Sequence, residues 1–250
     1  MVGKQVSKLI SKCLRHPRSS AFHATCIVFG LVGTLHAQQT GEKLIRVNDI
    51  EQITDAVLMS KVAVAGKTVE CGLFIKPTVV QPVAPFQAGS DWLQQMTISL
   101  INRTNKTIAF GDILVHFLDT GDCRSAPCVG ASLTLGQMPA IDAYKGRTGR
   151  PLRPEHPERP PLDWKPEQTI VVHVSDYMDE IERNLADFMP VTAVTKVNVY
   201  RGPFYFDDGM QWNLGRYAVP DPEHHGKFKE LPADYFPGRR GNNWPPGYEQ

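Results

Sequence analysis

A short segment near the carboxyl end offers the ligand types that divalent metals prefer. Two carboxylates and two imidazoles lie within five residues: Asp221, Glu223, His224 and His225. Such groups bind zinc and similar ions. Adjacent histidines of an extended chain point in opposite directions, however, and rarely chelate one ion together. The segment is therefore interpreted as a polar loop, and a metal-dependent enzyme using His224 and His225 is the third and weakest hypothesis.

Two further histidines lie within apolar strand patterns. His116 follows Val115, and His173 follows Val172. If the two strands were neighbours, the imidazoles could meet, bind a metal or act as a general base. The simpler interpretation is a pair of separate strand residues that face solvent.

Asp207 and Asp208 form a pair of adjacent carboxylates followed by Gly209. Glycoside hydrolysis needs two carboxyl groups about 5–9 Å apart across a cleft, and calcium needs more oxygen ligands than this segment supplies. A turn explains the three residues equally well. We retain Asp207 and Asp208 as possible ligand contacts at the tip of a predicted hairpin, without a catalytic role.

Aromatic side chains could stack on the rings of a sugar, because they combine an apolar face with polar neighbours. The candidates are the four tryptophans and the segment 200–206: Trp92, Trp164, Trp212 and Trp244. Trp92 and Trp212 are expected in the core, and Trp164 and Trp244 on mobile segments. Trp164 is therefore the tryptophan retained as a possible ligand contact.

No established catalytic or cofactor motif occurs in the sequence. A G-x-S-x-G elbow, a P-loop, a dinucleotide fingerprint and an H-E-x-x-H helix are all missing. We predict no catalytic residue, no cofactor and no metal. The chain has 27 basic and 26 acidic residues, which argues against a nucleic-acid binder.

Residues 1–37 have the pattern of a secretory signal peptide. Five basic residues precede a short apolar run, 26–33, and Ala37 offers a small residue for cleavage. The run is too short for a membrane-spanning helix, and a retained anchor is the alternative. Without this segment the chain carries a net charge of −4. We expect an exported protein, periplasmic or extracellular, with no membrane span after cleavage.

Three cysteines follow the predicted cleavage site. Cys123 and Cys128 enclose a loop of four residues and are predicted to form a disulfide, because an exported protein meets an oxidising environment. Two thiolates alone fall short of a structural zinc site. Cys71 lies in an apolar strand pattern and is predicted to be a buried thiol, although its pairing with Cys123 or Cys128 stays open.

Alternation of apolar and polar residues predicts strands over 68–75, 96–101, 107–110, 113–118, 131–135, 169–175 and 193–201. Two antiparallel hairpins are predicted, one across the polar break 102–106 and one with a two-residue Asp208-Gly209 turn. A short amphipathic helix capped by Asp176 carries Tyr177, Ile181, Leu185 and Phe188 on one face. Six prolines in 144–167 predict a long exposed loop.

These elements predict a mainly β protein, an immunoglobulin-like antiparallel β-sandwich with one short amphipathic helix and a long proline-rich loop. The predicted domains are the signal peptide 1–37, an extended lead-in 38–67, the sandwich 68–219 with its loop 144–167, and a Pro/Gly-rich tail 220–250.

Two segments resemble parts of known immunoglobulin-like domains. Residues Ile98–Ile108 resemble the inner strand pair of such domains in exported bacterial proteins, and Phe204–Trp212 is similar to a closing hairpin of uncharacterised secreted bacterial proteins. The resemblance covers about residues 68–217. It implies the fold and an exported location, and it transfers no catalytic residue.

The function predicted from these observations is an exported, non-catalytic binding or assembly module. Another protein or a polysaccharide is the expected partner, contacted by the loop 144–167 and the hairpin tip 207–209. The alternative is a secreted carbohydrate-binding or carbohydrate-active protein. The sequence leaves the ligand and the oligomeric state open.

Overall fold

A computed structural model describes residues 40–48, 55–69, 72–76, 79–80, 84–121, 128–141, 144–145, 150, 159–160, 162–224 and 226–237. All of them belong to the second of the two units into which the chain divides, residues 38–250. Several predictions concern residues outside these ranges and stay predictions: the signal peptide 1–37, Cys71, Cys123 and its pairing with Cys128, His225, Trp244 and residues 238–250.

The described residues form a mainly β protein with two sheets and one short α-helix. Ten strands belong to the larger sheet and four to the smaller. Numbered in chain order, the strands are β1 (Gly41–Asn48), β2 (Val57–Val64), β3 (Lys67–Thr68), β4 (Gly72–Lys76), β5 (Val79–Val80), β6 (Phe86–Ala88), β7 (Met96–Asn102), β8 (Ile108–Phe117), β9 (Gly130–Gly136), β10 (Thr169–His173), β11 (Lys196–Phe206), β12 (Gln211–Asn213), β13 (Arg216–Pro220) and β14 (Phe228–Glu230).

Strand β11 organises the larger sheet. Its first half pairs with β1 on one side and with β8 on the other, and its second half pairs with β12 and β8. β9 continues the sheet beyond β8, and β13 and β14 continue it beyond β12. The prediction of a purely antiparallel sheet is wrong in one place, because β1 runs parallel to both β11 and β4.

The chain crosses between sheets where the first hairpin was predicted. β7 pairs with β2 and β10 in the smaller sheet, whereas β8 pairs with β9 and β11 in the larger one. Asn102 holds this crossing, because its Nδ2 donates to the carbonyls of Lys106 and Trp164 at 2.8 and 3.0 Å. The hairpin prediction for 98–108 is therefore wrong: a polar break between two strands is equally suited to an arch between two sheets.

The second predicted hairpin is confirmed. Phe204 lies opposite Trp212 in the antiparallel pair β11–β12. The loop has three residues rather than two, because the N–H of Phe206 donates to the carbonyl of Met210 at 2.9 Å. Gly209 closes it at φ 94°, a left-handed conformation that costs glycine little.

The folded region extends beyond the predicted sandwich limits at both ends. Strands β1 and β2 lie in the segment predicted as an extended lead-in, and the β1 residues Ile45 and Val47 are buried. In the predicted tail, β14 pairs with β13, and Leu231 and Tyr235 are buried. Both segments contribute apolar side chains to the core, which explains their inclusion.

The α-helix, α1 (Met178–Leu185), follows β10 through a 3-10 turn, as the amphipathic pattern predicted. Ile181 and Leu185 are buried. Phe188 is 61 % exposed because the helix ends before it, and Asp176 makes no cap because the helix begins after Tyr177. Within the described residues, every helix is too short or too polar to span a bilayer.

The predicted proline-rich loop is anchored at both of its ends. Tyr144 and Trp164 are each 1 % exposed, and Arg159 lies 4.3 Å from the ring centre of Tyr177. The ends of the segment 144–167 are therefore packed against the domain, contrary to the prediction of exposure throughout. Residues 146–149 and 151–158 lie outside the described residues.

One contiguous cluster of buried side chains includes residues of both sheets, which is consistent with a β-sandwich. A buried ion pair lies within it. Arg201 of β11 donates to the Asp55 carboxylate at 2.8 Å and also to the carbonyl of Val57. Both side chains are at most 6 % exposed. Trp212 completes the site, with its ring centre 5.3 Å from the Arg201 guanidinium.

The substitution Arg201→Met leaves the buried Asp55 carboxylate without this counter-charge. We expect the free energy of unfolding to fall by about 3–5 kcal/mol, measured by urea denaturation. The control is Lys165→Met, which breaks an exposed pair with Asp163, and we expect a change below about 0.5 kcal/mol there. Equal losses in the two variants would contradict the structural role of Arg201.

Candidate functional site

Trp164 does not offer a stacking surface for a sugar. Its side chain is 1 % exposed, its Nε1 donates to the carbonyl of Gln168 at 2.8 Å, and its ring packs edge-on against Phe204 at 6.0 Å. Its backbone forms a bridge to Ile108. The prediction of Trp164 as a ligand contact is therefore wrong. Although prolines flank it in the sequence, this tryptophan is buried in the core.

The Asp207–Asp208 turn is held by groups of the protein itself. Asp208 pairs with Lys106, and its Oδ1 accepts from the N–H of Met210 at 3.1 Å. Below the turn, the Tyr144 hydroxyl faces the carbonyls of Phe206 and Met210. Burial, followed by the nearby Asp208 charge, raises the Tyr144 pKa. These contacts give Asp208 a structural role, while ligand contact by Asp207 and Asp208 stays a prediction.

The carboxyl-terminal metal candidate is an exposed turn. Ligand atoms of Asp221, Glu223 and His224 lie within 4.8 Å of one another, and His224 and Glu223 are exposed. The backbone N–H of Glu223, followed by the His224 imidazole, lowers the Asp221 pKa by hydrogen bonding. The Asp221–His224 contact of 2.8 Å accounts for the cluster as an internally bonded turn.

His116 and His173 belong to different sheets. His173 lies on β10 and is exposed, and His116 lies on β8 of the larger sheet and is half-buried. The two imidazoles are therefore separate strand residues, as the simpler interpretation held.

His116 belongs instead to a row of polar side chains on the outer face of the larger sheet. Asn198 of β11 lies opposite Arg46 of β1 on one side and opposite His116 of β8 on the other. The alternate residues, Val197 and Val199, are fully buried and face the core. We call Arg46, Asn198, His116 and the neighbouring Tyr200 the polar row.

Two buried atoms of the polar row have no hydrogen-bond partner. They are the Nε of Arg46, a donor, and the Oδ1 of Asn198, an acceptor. Asn198 is only 4 % exposed, and its Nδ2 donates to the Tyr200 hydroxyl at 2.9 Å. A buried polar atom left unpaired costs about 1–3 kcal/mol. The row therefore keeps an unsatisfied donor and an unsatisfied acceptor on adjacent strands.

Aromatic packing fixes the other end of the row. The rings of His116 and Tyr200 lie 4.8 Å apart, centre to centre, at 49°. Gly130 makes room for the imidazole, since a Cβ at this position would lie 2.6 Å from the Cδ2 of His116. Burial lowers the His116 pKa below 6.5, which makes the neutral imidazole the main form at pH 7. A neutral ring offers one donor and one acceptor.

The row offers hydrogen-bond donors and acceptors from guanidinium, amide, imidazole and phenol groups. Asp112, a carboxylate on β8, accepts from the hydroxyls of Ser132 and Thr134 at 2.9 Å each. Sequence reasoning did not identify this row. The only available signal was the alternation in 196–200, which placed Asn198 and Tyr200 on one face.

A matched pair of buried asparagines tests the unpaired state of Asn198. Asn102 makes four hydrogen bonds, to the carbonyls of Lys106 and Trp164 and from the N–H and hydroxyl of Thr104. We expect Asn102→Leu to lower the free energy of unfolding by at least about 3 kcal/mol. Asn198→Leu removes an unsatisfied atom, and we expect no loss and a gain of up to about 1 kcal/mol.

Urea denaturation of both variants measures the difference. Equal destabilisation by Asn198→Leu and Asn102→Leu would contradict the description of Asn198 as unsatisfied.

Comparisons with known proteins add no template for this site: no protein-family model, curated protein or solved structure matches the chain. Its function is therefore argued from the side chains described above.

Proposed function

We propose that this chain is an exported, non-catalytic binding module with an immunoglobulin-like sandwich, and that the polar row is its binding surface. The proposal rests on two buried, unpaired atoms, Asn198 Oδ1 and Arg46 Nε, whose residues lie opposite each other on adjacent strands. An arrangement that costs stability without a compensating contact is expected where a ligand supplies the missing hydrogen bonds.

The fold assignment has support from three features. Two sheets share one core, the segment 103–107 arches from one sheet to the other, and the hairpin 204–212 lies within the larger sheet. Arches and hairpins of this kind are typical of immunoglobulin-like sandwiches. Export follows from the signal-peptide pattern of residues 1–37.

The ligand chemistry follows from the two unpaired atoms. Arg46 Nε needs an acceptor, and Asn198 Oδ1 needs a donor. A carboxamide supplies both on neighbouring atoms, and such groups occur in proteins and in acetamido sugars. Because both atoms are buried, binding requires neighbouring side chains to change rotamer, which is common when partners bind.

A carbohydrate is the second candidate, because a hydroxyl group is both donor and acceptor. The half-buried rings of Tyr200 and His116 within the row favour it, since aromatic rings pack against the apolar faces of sugars.

Acetamide and methyl glucoside serve as minimal probes of the two ligand classes. We expect acetamide to shift the NMR signals of the Arg46 Nε–H and the Asn198 side-chain amide, because it satisfies both unpaired atoms. The shift of the Arg46 Nε–H should vanish in Asn198→Leu, and both shifts should persist in Asn213→Leu, whose asparagine is exposed on β12.

If methyl glucoside shifts these NMR signals and acetamide does not, the carbohydrate candidate is favoured. Chitin and cellulose, which differ in their acetamido groups, then serve as macromolecular probes in a pull-down assay. Unchanged signals with both small probes would contradict the polar row as a binding surface.

A further inference from the structure

The two sheets differ in how their edges are protected. One edge strand of the larger sheet, β9, has two of its outward-facing carbonyls bonded by side chains: Asn184 donates to Gly130 O at 3.0 Å, and Tyr177 and Arg159 donate to Thr134 O. Among the remaining described edges, β3, β5, β6 and β14 are only two or three residues long, and β2, which β3 pairs only at Ala63 and Val64, carries the charged Lys61. Short or capped edges resist pairing with another chain.

Strand β10 has neither kind of protection. It is five residues long, Thr-Ile-Val-Val-His, and its one strand partner among the described residues is β7. It contains no proline, lysine or acidic residue. Val171, at its centre, is 50 % exposed. Strands of this composition at a sheet edge are templates for intermolecular pairing.

The hydrogen-bond register shows which backbone groups face the open edge. The N–H of Asn102 donates to the carbonyl of Gln168 at 3.2 Å. Because hydrogen-bonded positions alternate along an antiparallel pair, the Cα partners Leu100–Ile170 and Ile98–Val172 are also hydrogen-bonded. The N–H and C=O groups of Thr169, Val171 and His173 therefore point away from β7.

The opposite side of β7 gives an independent check of this register. The N–H of Ala65 donates to the carbonyl of Gln95 at 3.1 Å. The same alternation then directs the backbone groups of Thr97 and Ser99 toward β2, where their Cα partners are Ala63 and Lys61. Ser99 lies opposite Val171, so the backbone of Val171 must face outward.

We infer that β10 pairs antiparallel with β10 of a second copy of this chain, with the two-fold axis at Val171. The three outward-facing residues are spaced by two and are symmetric about Val171. In this register each meets another outward-facing residue: Val171 lies opposite Val171 of the partner subunit, and Thr169 lies opposite His173 of the partner subunit.

The strand is self-complementary in side chains as well as in backbone. Two β-branched valines meet at the axis, a favourable cross-strand pair. Thr169 and His173 meet on either side of it, so no pair of like charges is opposed. A symmetric interface formed by one surface is the commonest way for soluble chains to associate. The edge strand β10 lies in the smaller sheet and the polar row in the larger one. An experiment that contradicts the dimer inference would therefore leave the proposed binding surface untouched, and the reverse also holds.

The first test is the oligomeric state of the full chain by sedimentation equilibrium over a range of concentrations, with hydrogen exchange measured at both ends of the range. We expect a monomer–dimer equilibrium. The amides of Thr169, Val171 and His173 should exchange slowly only at high concentration, because their N–H groups are bonded only in the dimer.

Variants at the axis locate the interface. Val171→Lys places two ammonium groups opposite each other, and we expect the dimer Kd to rise at least about tenfold. Val171→Pro removes an N–H that faces solvent in the monomer, a position where edge strands tolerate proline, and should also weaken the dimer. Val171→Thr, which keeps a β-branched side chain, and Leu214→Lys, at a 79 % exposed turn, should leave the Kd unchanged.

A single monomeric species at every concentration would overturn the inference. So would a dimer that Val171→Lys and Val171→Pro leave unchanged while melting temperatures confirm that both variants fold. Concentration-dependent protection confined to another segment would also overturn it and would assign the interface elsewhere.

Discussion

The ion pair between Arg201 and Asp55 fixes the direction of every side chain in the first half of β11. Arg201 points inward to a carboxylate beside the smaller sheet, so Val199 and Val197 also point inward and Asn198 and Tyr200 point outward. A shift of β11 by one residue would place the guanidinium in solvent and bury Tyr200 and Lys196. The buried pair inside the core therefore determines which residues form the polar row outside it.

The two buried asparagines differ in how their hydrogen-bonding groups are paired. Asn102 has all of its hydrogen-bonding groups paired, and they hold the crossing between the sheets. Asn198 is buried to nearly the same extent, yet its Oδ1 is unpaired. Polar groups buried for stability are normally satisfied within the protein. This difference in hydrogen-bond pairing between Asn102 and Asn198 is the main physical argument for proposing the polar row as a binding surface.

Local pattern predicted several of the strands and the helix but not how they associate. Alternation identified β7, β8, β9, β10 and β11, and the Asp-Gly turn identified the hairpin at Gly209. The crossing at Asn102 escaped prediction because its polar residues suit a hairpin and an arch equally. The polar row escaped because the parallel pairing of β1 with β11 brings together Arg46 and Asn198, which are distant in sequence. Trp164 was misassigned because the packing of its ring against Phe204 is tertiary and leaves no trace in the local sequence.

Edge protection explains why α1 and the end of the proline-rich segment lie where they do. Helix α1 and the 3-10 turn before it place Asn184 and Tyr177 against the carbonyls of β9, and Arg159 adds a third donor. A sheet edge with its acceptors occupied cannot recruit another strand. The helix immediately follows β10 in the chain, so the same connection that closes the edge of the larger sheet ends β10 at His173 and leaves its outer side unpaired by any described strand. Among the described residues, helix α1 contacts the edge strand β9, and the outward-facing backbone groups of β10 have no strand partner.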